Sequence, residues 1–400
     1  MSEEVLFARQ PIFDRGLQVF GYELLFRQGG LEQAVFEDGD LATRSVMLNA
    51  YTHSNIEQAL NQKPGLLNVT KTMLNALPDF LRHTLIIEVL EDYHSDDDLI
   101  AILAHLRERG FRLALDDFEH KDYRPALIDI VDLVKIDVLA TGRDDIQKLV
   151  NTLRSHAVKL VAEKVETYDD FQFCLELGFD YFQGYFFCQP EAVHGRRLQP
   201  GRINLLKLLA DLYRPDISVN DIYRHVQQDT VLSYKLLQLV NSSFYRRGQH
   251  VDSIHQAVAL LGIDRIRGWA TLINMDRFDN KPRELQREAL TRAFFCEQLG
   301  QRLAPDQSDC FFTVGLLSIL DALMDQTMTE VVQELPLSAD IKAALSESAG
   351  LPGRTLAFAI RYAQAKPLDD ALLRDFQLSA AELSAWYQAS IERADGMLGQ

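Results

Sequence analysis

The stretch Arg112-Leu-Ala-Leu-Asp-Asp-Phe118 decides how this chain is read: a short apolar run that stops on two adjacent carboxylates, Asp116 and Asp117. Such a run reads as a buried strand, and in a barrel with outer helices the strands deliver their last residues to the ligand-binding end. Two acids at that position call for a cation. Alternation along a strand sends Asp116 and Asp117 to opposite faces, so both reach one site only where the backbone leaves strand geometry. Taken alone, the pair also reads as a helix cap or a turn.

Working outward, the chain from Val5 to about Pro190 alternates short apolar runs with segments of helical period, the pattern of repeated strand-helix units. Seven runs read as strands: Val19 to Leu25, Gly65 to Val69, Leu85 to Val89, Arg112 to Asp117, Leu133 to Asp137, Lys159 to Glu163, and Tyr181 to Phe187. Each carries a polar residue at or near its end, in order Glu23, Asn68, Glu88, Asp116 with Asp117, Lys135 with Asp137, Glu163, and Gln183. From Asn68 onward the steps to Glu88, Asp116, Lys135, Glu163 and Gln183 are 20, 28, 19, 28 and 20 residues. That is about one strand, one helix and two loops per step. Closure of an α/β barrel brings all these ends to one rim, the C-terminal face.

Clustered carboxylates repel, and several must protonate unless a cation intervenes. Ligation by carboxylate and amide oxygens suits magnesium, manganese or calcium rather than zinc. Paired ions about 3.5–4 Å apart generate a hydroxide nucleophile and stabilise in-line displacement at phosphorus, with Lys135 offsetting charge on phosphate or water.

Bulk properties narrow the function classes. Four hundred residues with 47% hydrophobic content supply two or three cores. A net charge of −17 opposes long-range attraction to nucleic acid or anionic lipid, although a local pocket can still hold a small phosphate ligand. No uncharged apolar segment approaches the roughly 18 residues of a membrane span, and the start lacks the features of a secretion signal. A cytoplasmic protein with no membrane and no direct nucleic-acid partner is expected. The cysteines at 174, 188, 296 and 310 have neither zinc nor disulfide spacing and read as reduced packing thiols.

The motifs of the first half resemble the EAL domain family, phosphodiesterases that open bacterial cyclic di-GMP to the linear dinucleotide pGpG. Gly21-Tyr-Glu-Leu-Leu-Phe-Arg27 resembles the signature that names the family, with Leu24 in place of its alanine. Asn68, Glu88-Val-Leu-Glu91, Asp116-Asp117, Lys135-Ile-Asp137, Ala162-Glu-Lys-Val-Glu166 and Gln183-Gly184 match the remaining motifs in order. The resemblance implies an EAL-type TIM-like barrel. It further implies that Glu23, Asn68, Glu88 and Asp116 hold one Mg2+ or Mn2+, and that Asp117 and Glu163 hold or serve a second ion and help activate water. Lys135 acts with them as a catalytic residue, Arg27 and Gln183 contact substrate, and Glu91 and Glu166 brace an active-site loop. For Arg27 a surface ion pair is the competing reading.

Two departures bear on turnover. After Phe118 the family runs G-T-G-Y-S-S, whereas this chain reads Glu119-His-Lys-Asp-Tyr-Arg-Pro125, without glycine and so with a different backbone. Lys164 replaces the glycine of A-E-G-V-E. If the strand continues, Lys164 points away from Glu163 toward the helices. If the strand has ended, its ammonium can take the place of the second ion.

The barrel pattern ends near Pro190, and the breaker-rich segment His194 to Gly201 separates two domains, 1–198 and 199–400. The second half is all-α: Leu232, Leu236, Leu239 and Val240, then Ile254, Ala257, Val258 and Leu261, then Leu316, Leu320, Leu323 and Met324 repeat at helical spacing. Ser379-Ala-Ala-Glu382 reads as a capping box. Leu236 to Tyr245 and Val251 to Gly262 resemble the HDOD family, helical modules related to HD phosphohydrolases but without their metal ligands. Where an HD enzyme reads L-L-H-D, this chain has Leu316-Leu-Ser-Ile-Leu320. Asn241 and Ser242 read as a structural polar network, His255 as a helix-surface residue, and Trp269, Phe294, Phe295, Trp386 and Tyr387 as core rather than a partner surface.

The order of domains resembles bacterial EAL/HDOD signalling proteins. It implies cyclic di-GMP as ligand, an unknown protein partner through the helical domain, and a homodimer through the barrel. Two functions stay open: a phosphodiesterase, or a catalytically degenerate receptor or scaffold acting through protein contacts.

Overall fold

A computed structural model describes residues 5–28, 60–89, 97–119, 123–189, 200–214, 216–228, 233, 236–237, 240–241, 251, 253–275, 281–366, 368, 373–374, 376 and 378–398. Its first half is a closed eight-stranded barrel in sequential order. The strands are β1 (Val5–Asp14), β2 (Val19–Gln28), β3 (Gly65–Val69), β4 (Leu85–Val89), β5 (Arg112–Leu115), β6 (Leu133–Asp137), β7 (Lys159–Glu163) and β8 (Tyr181–Gln183). Neighbours from β2 to β8 pair in parallel, while β1 runs antiparallel to both β2 and β8. Between the parallel strands lie helices α1 (Lys71–Leu74), α2 (Asp97–Glu108), α3 (Pro125–Ile128), α4 (Arg143–Leu153) and α5 (Tyr168–Leu177).

The barrel interior is layered. Ile12, Leu66, Ile86, Ala114, Leu133 and Val161 form one buried apolar cluster, with Phe20 and Tyr181 stacked at 4.1 Å beside it. Eight strands thus supply one layer, the filled core expected of such a barrel rather than a pore. Side chains repeat every two residues along a strand. Two positions beyond Leu66, Ile86, Ala114, Leu133, Val161 and Tyr181 stand Asn68, Glu88, Asp116, Lys135, Glu163 and Gln183. Because β1 runs the other way, its contribution to that upper layer lies two residues earlier, at Gln10, opposite Glu23 of β2. The polar rim and the apolar plug are therefore consecutive layers of one pattern.

Strand β1 is absent from the seven runs that the sequence marks as strands. Its middle, Arg9-Gln-Pro11, breaks the apolar run, and a proline removes a ladder donor. Burial of the barrel wall overrides those local signals: Arg9 is buried with its guanidinium over the Tyr22 ring at 4.4 Å, and Ile12 and Phe13 are fully buried.

Beyond Pro200 the described residues form helices only. The longest, α6 (Arg283–Leu303), buries Phe294, Phe295 and Cys296. It crosses α7 (Ser308–Leu317) closely at Gly315, where an added Cβ would lie 2.6 Å from the Ala293 Cα. Trp269 and Tyr387 are also buried, whereas Trp386 is half-buried. Asn241 behaves as the structural residue expected of it: its amide donates to the carbonyls of Leu237 and Val251 at 2.9 and 2.8 Å, and its oxygen accepts from the Val251 N–H at 2.8 Å. Ser242 lies outside the described residues, as do Leu232 and Leu239, and nothing is described of the His255 side chain. The Ser379 and Glu382 pair closes a reciprocal capping box ahead of Ala380–Leu398.

By contacts the chain divides into two compact units. One comprises Met1–Gln189 with Arg361–Asp370 and Leu378–Glu392; the other comprises Pro190–Ile360 with Ala371–Gln377 and Arg393–Gln400. Pro305–Met324 is the one segment among the described residues apolar and long enough to cross a membrane by composition, and most of it is buried within the protein. The thiols of Cys174 and Cys296 are pushed up to about 12 by burial, as inert packing thiols would be.

Candidate metal centre at the barrel mouth

The strand ends converge on Lys135, whose side chain is wholly buried. Its Nζ lies 2.7 Å from Glu88 Oε1, 2.7 Å from Glu163 Oε1, 3.0 Å from Asp116 Oδ1 and 3.5 Å from Glu23 Oε2. The Asn68 amide donates to Glu23 Oε1 at 3.1 Å, and Gln183 Nε2 donates to Glu23 Oε2 and, at 3.0 Å, to Gln10 Oε1. Gln10 is the rim residue that sequence reasoning missed. Only the antiparallel direction of β1 places it here, and nothing local signals that direction.

Asp116 and Asp117 do reach one site, and the backbone supplies the reason. Strand β5 ends at Leu115, and Asp117 sits in the left-handed region at φ +44°. Departure from strand geometry turns the second carboxylate back toward the first. Oxygens of Glu23, Glu88 and Asp116 lie within 4.8 Å of one another, and so do those of Asp116, Asp117 and Glu163. Two oxygen trios thus share Asp116.

The same device decides the position of Lys164. Strand β7 ends at Glu163, and Lys164 takes φ +54°. Its ammonium therefore leaves the direction of the helices and pairs with Asp137 Oδ2, 3.6 Å from Asp117 Oδ1. On the far side Gly184, at φ +152°, lets β8 pass against Val165: an added Cβ would sit 2.0 Å from the Val165 carbonyl oxygen. Arg27 lies in β2, with nothing described of its side chain, and Glu91 lies outside the described residues. Glu166 is exposed on the segment that follows β7. Of the loop after Phe118, residues 120–122 lie outside the described residues; at its far end Tyr123 Oη is 3.0 Å from His156 Nε2, and His156 Nδ1 is 2.7 Å from Asp129.

One ammonium faces four carboxyl groups in a largely buried space, so full ionisation of all four would leave three negative charges without a partner. Burial accordingly drives Glu88 and Glu163 well above the ordinary glutamate value, even against the attraction of Lys135. Burial also penalises the charge on Asp116, but Lys135 and its hydrogen bonds outweigh it and hold that carboxyl low. For Lys135 burial works against the charge and the surrounding acids win, so its ammonium is retained far above neutrality. Asp117 is raised by burial and by its neighbour Asp116. Glu88 Oε2 and Gln183 Oε1 are buried with no hydrogen-bond partner among the described residues. An orphaned carboxylate oxygen, an all-oxygen donor set and uncompensated negative charge fit a hard divalent cation. Glu23, Asn68, Glu88 and Asp116 would hold one such ion, and Asp116, Asp117 and Glu163 a second.

Comparison with known proteins agrees with this architecture. The EAL domain model matches residues 31–190 and the HDOD domain model residues 203–349. The chain is 34% identical over 87% of its length to the cyclic di-GMP phosphodiesterase CdgJ of Vibrio cholerae, covering 82% of that protein. It is 33% identical over 85% of its length to the uncharacterised protein YuxH of Bacillus subtilis, covering 86% of it. Among solved structures, the Klebsiella pneumoniae BlrP1 complex with calcium and cyclic di-GMP shows 23% identity and a TM-score of 0.38 over 46% of this chain. The match spans 55%, about half, of the BlrP1 chain. The Bacillus subtilis YkuI protein, solved with cyclic di-GMP and calcium, shows 19% identity and a TM-score of 0.38 over 64% of this chain and 71% of its own. A barrel whose rim gathers these acids defines an EAL domain. The chain belongs to the family of proteins in which an EAL domain is followed by an HDOD domain.

Proposed function

We propose that the barrel binds cyclic di-GMP at its mouth and hydrolyses one of the two phosphodiester bonds to give linear pGpG, using Mg2+ or Mn2+. The observation that carries this reading is the convergence of Glu23, Glu88 and Asp116, and of Asp116, Asp117 and Glu163, into two oxygen trios sharing one carboxylate. When bound, the divalent ions supply Lewis acidity at the phosphoryl group and make an attacking water more acidic. The protein's own part is positional. Lys135 pins the oxygens of four strands against their mutual repulsion and offsets charge that grows on phosphorus. Gln183 and Asn68 fix the orientation of Glu23 by donating to its two oxygens. Glu163 and Asp117 complete the second oxygen trio with Asp116, where they would hold or serve the second ion and help activate water. Arg27 and Gln183 contact the ligand, and Glu91 and Glu166 brace the loop beside it.

The helical half serves as a regulatory module that passes barrel occupancy to a protein partner, with the working form a cytoplasmic protein and the barrel a dimerising surface. The domains act as 1–198 and 199–400. A second reading, a receptor or scaffold without turnover, draws support from Lys164 beside Asp117 and from the glycine-free segment Glu119 to Pro125.

The test is chromatographic separation of cyclic di-GMP from pGpG after incubation with each metal, alongside calorimetric binding. The enzyme reading expects metal-dependent pGpG and a loss of about 100-fold or more in Glu23→Ala, since a ligand and the hydrogen bonds that orient it go together. Undiminished turnover in Glu23→Ala would remove the residue assignment. Submicromolar binding without product would select the receptor, and neither binding nor product the scaffold.

A further inference from the structure

We propose that the Lys164 ammonium is a built-in counter-ion that competes with a divalent cation for Asp117, making the two metal positions of this chain strongly unequal. The inference rests on the metal-binding reading above and adds to it an occupancy rule.

The geometry singles out this lysine. Lys135 pairs with all three acids of the first trio and with Asp116 and Glu163 of the second, so its charge opposes an ion at both positions. Lys164 reaches the second trio alone, through Asp117, at 3.6 Å. It is anchored there rather than swinging freely. Asp137, the last residue of β6, spends Oδ1 on the backbone N–H groups of Leu139 and Ala140, at 2.8 and 2.9 Å, which leaves Oδ2 facing Lys164. Strands β5, β6 and β7 are paired neighbours, and with left-handed backbone at Asp117 and Lys164 the ammonium that follows β7 meets carboxylates at the ends of β5 and β6. A dication entering the Asp116, Asp117 and Glu163 trio would have to displace that ammonium or sit beside it. The Glu23, Glu88 and Asp116 trio faces Lys135 alone of these two lysines, whereas the second trio faces Lys135 and Lys164 together.

Titration of the purified, metal-free full chain with Mn2+, followed by the paramagnetic resonance signal of free ion and without dinucleotide, reads this directly. The expected result is one tight ion and a second at least about tenfold weaker, the scale of a unit charge a few Å away in a partly solvated site. Lys164→Gly, which suits the left-handed backbone, and Lys164→Gln, which keeps the length and removes the charge, should each tighten the second ion about tenfold and leave the first nearly unchanged. Lys164→Arg should behave as the parent chain. The side chain is 53% exposed, so neither neutral variant removes core packing, and thermal melts verify the fold. Two ions of equal affinity in the parent chain, or a second ion indifferent to both neutral substitutions, would overturn the proposal. Absence of any Mn2+ binding would overturn instead the metal reading on which it stands.

Discussion

At the scale of single residues, the site is governed by a charge imbalance that protons or metal ions must relieve. Glu88 and Glu163 have raised folded-state pKa values because burial penalises their charge, so folding favours their protonated forms. Such a group contributes stability that is fully present below its unfolded value, 4.5, and is lost as pH rises through the raised folded value. Asp116, held low, contributes in the opposite sense: its share is present above 3.8 and lost as pH falls through the lowered folded value. Glu88→Gln mimics the protonated carboxyl. In chelator at about pH 8 the variant should therefore melt roughly 2–4 °C higher than the parent, with the difference shrinking toward acid pH. With Mn2+ present the order should reverse, because the amide has lost the charged ligand oxygen. A melting series across pH, with and without metal, checks both signs. Equal destabilisation under all conditions would mean that Glu88 is held charged by Lys135.

At the scale of elements, the site depends on where strands stop. The rim acids were legible because each lies in, at or near the end of an apolar run, and a strand's two-residue period carries the apolar plug below them into the polar layer. The left-handed turns at Asp117 and Lys164 were legible only as a condition, that both aspartates meet if the strand has ended. Their side chains do not favour that backbone as glycine does, so tertiary pairing rather than residue type imposes it. Strand β1 and with it Gln10 were hidden, since Arg9-Gln-Pro11 reads as a break and closure by an antiparallel strand leaves no local trace. One glycine is predicted to be indispensable to this layout. At Gly184 the Val165 backbone leaves no room for a Cβ on either its nitrogen or its oxygen. Gly184→Ala should cost about 3 kcal/mol or more, the range of overpacking combined with strain at a special φ, and should be seen in chemical denaturation. A near-neutral result would show that β8 can move outward without opening the barrel.

At the scale of the whole molecule, the dominant fact is a net charge of −17 around a pocket proposed to take an anionic dinucleotide. A helical repeat in sequence records that one face is apolar, not which core receives it. Nothing in the residues of 361–370 and 378–392 therefore showed that their contacts group with the barrel unit. Net charge, by contrast, is fully legible from composition and has a direct kinetic consequence. Ligand and protein repel at long range, and attraction begins only close to the metal positions and Lys135. Monovalent salt screens the long-range part over a Debye length of about 8–10 Å at 0.1–0.15 M, while the buried contacts are screened far less. Association of cyclic di-GMP with the Mg2+-loaded chain, measured by stopped flow, should thus hold constant or quicken as sodium chloride is raised. This is opposite to a protein that gathers polyanions through a basic surface, whose affinity falls steeply with salt as counter-ions are released. A steep loss of association rate with salt would place a positively charged approach path on the molecule, and would move ligand capture away from the metal positions at the barrel mouth.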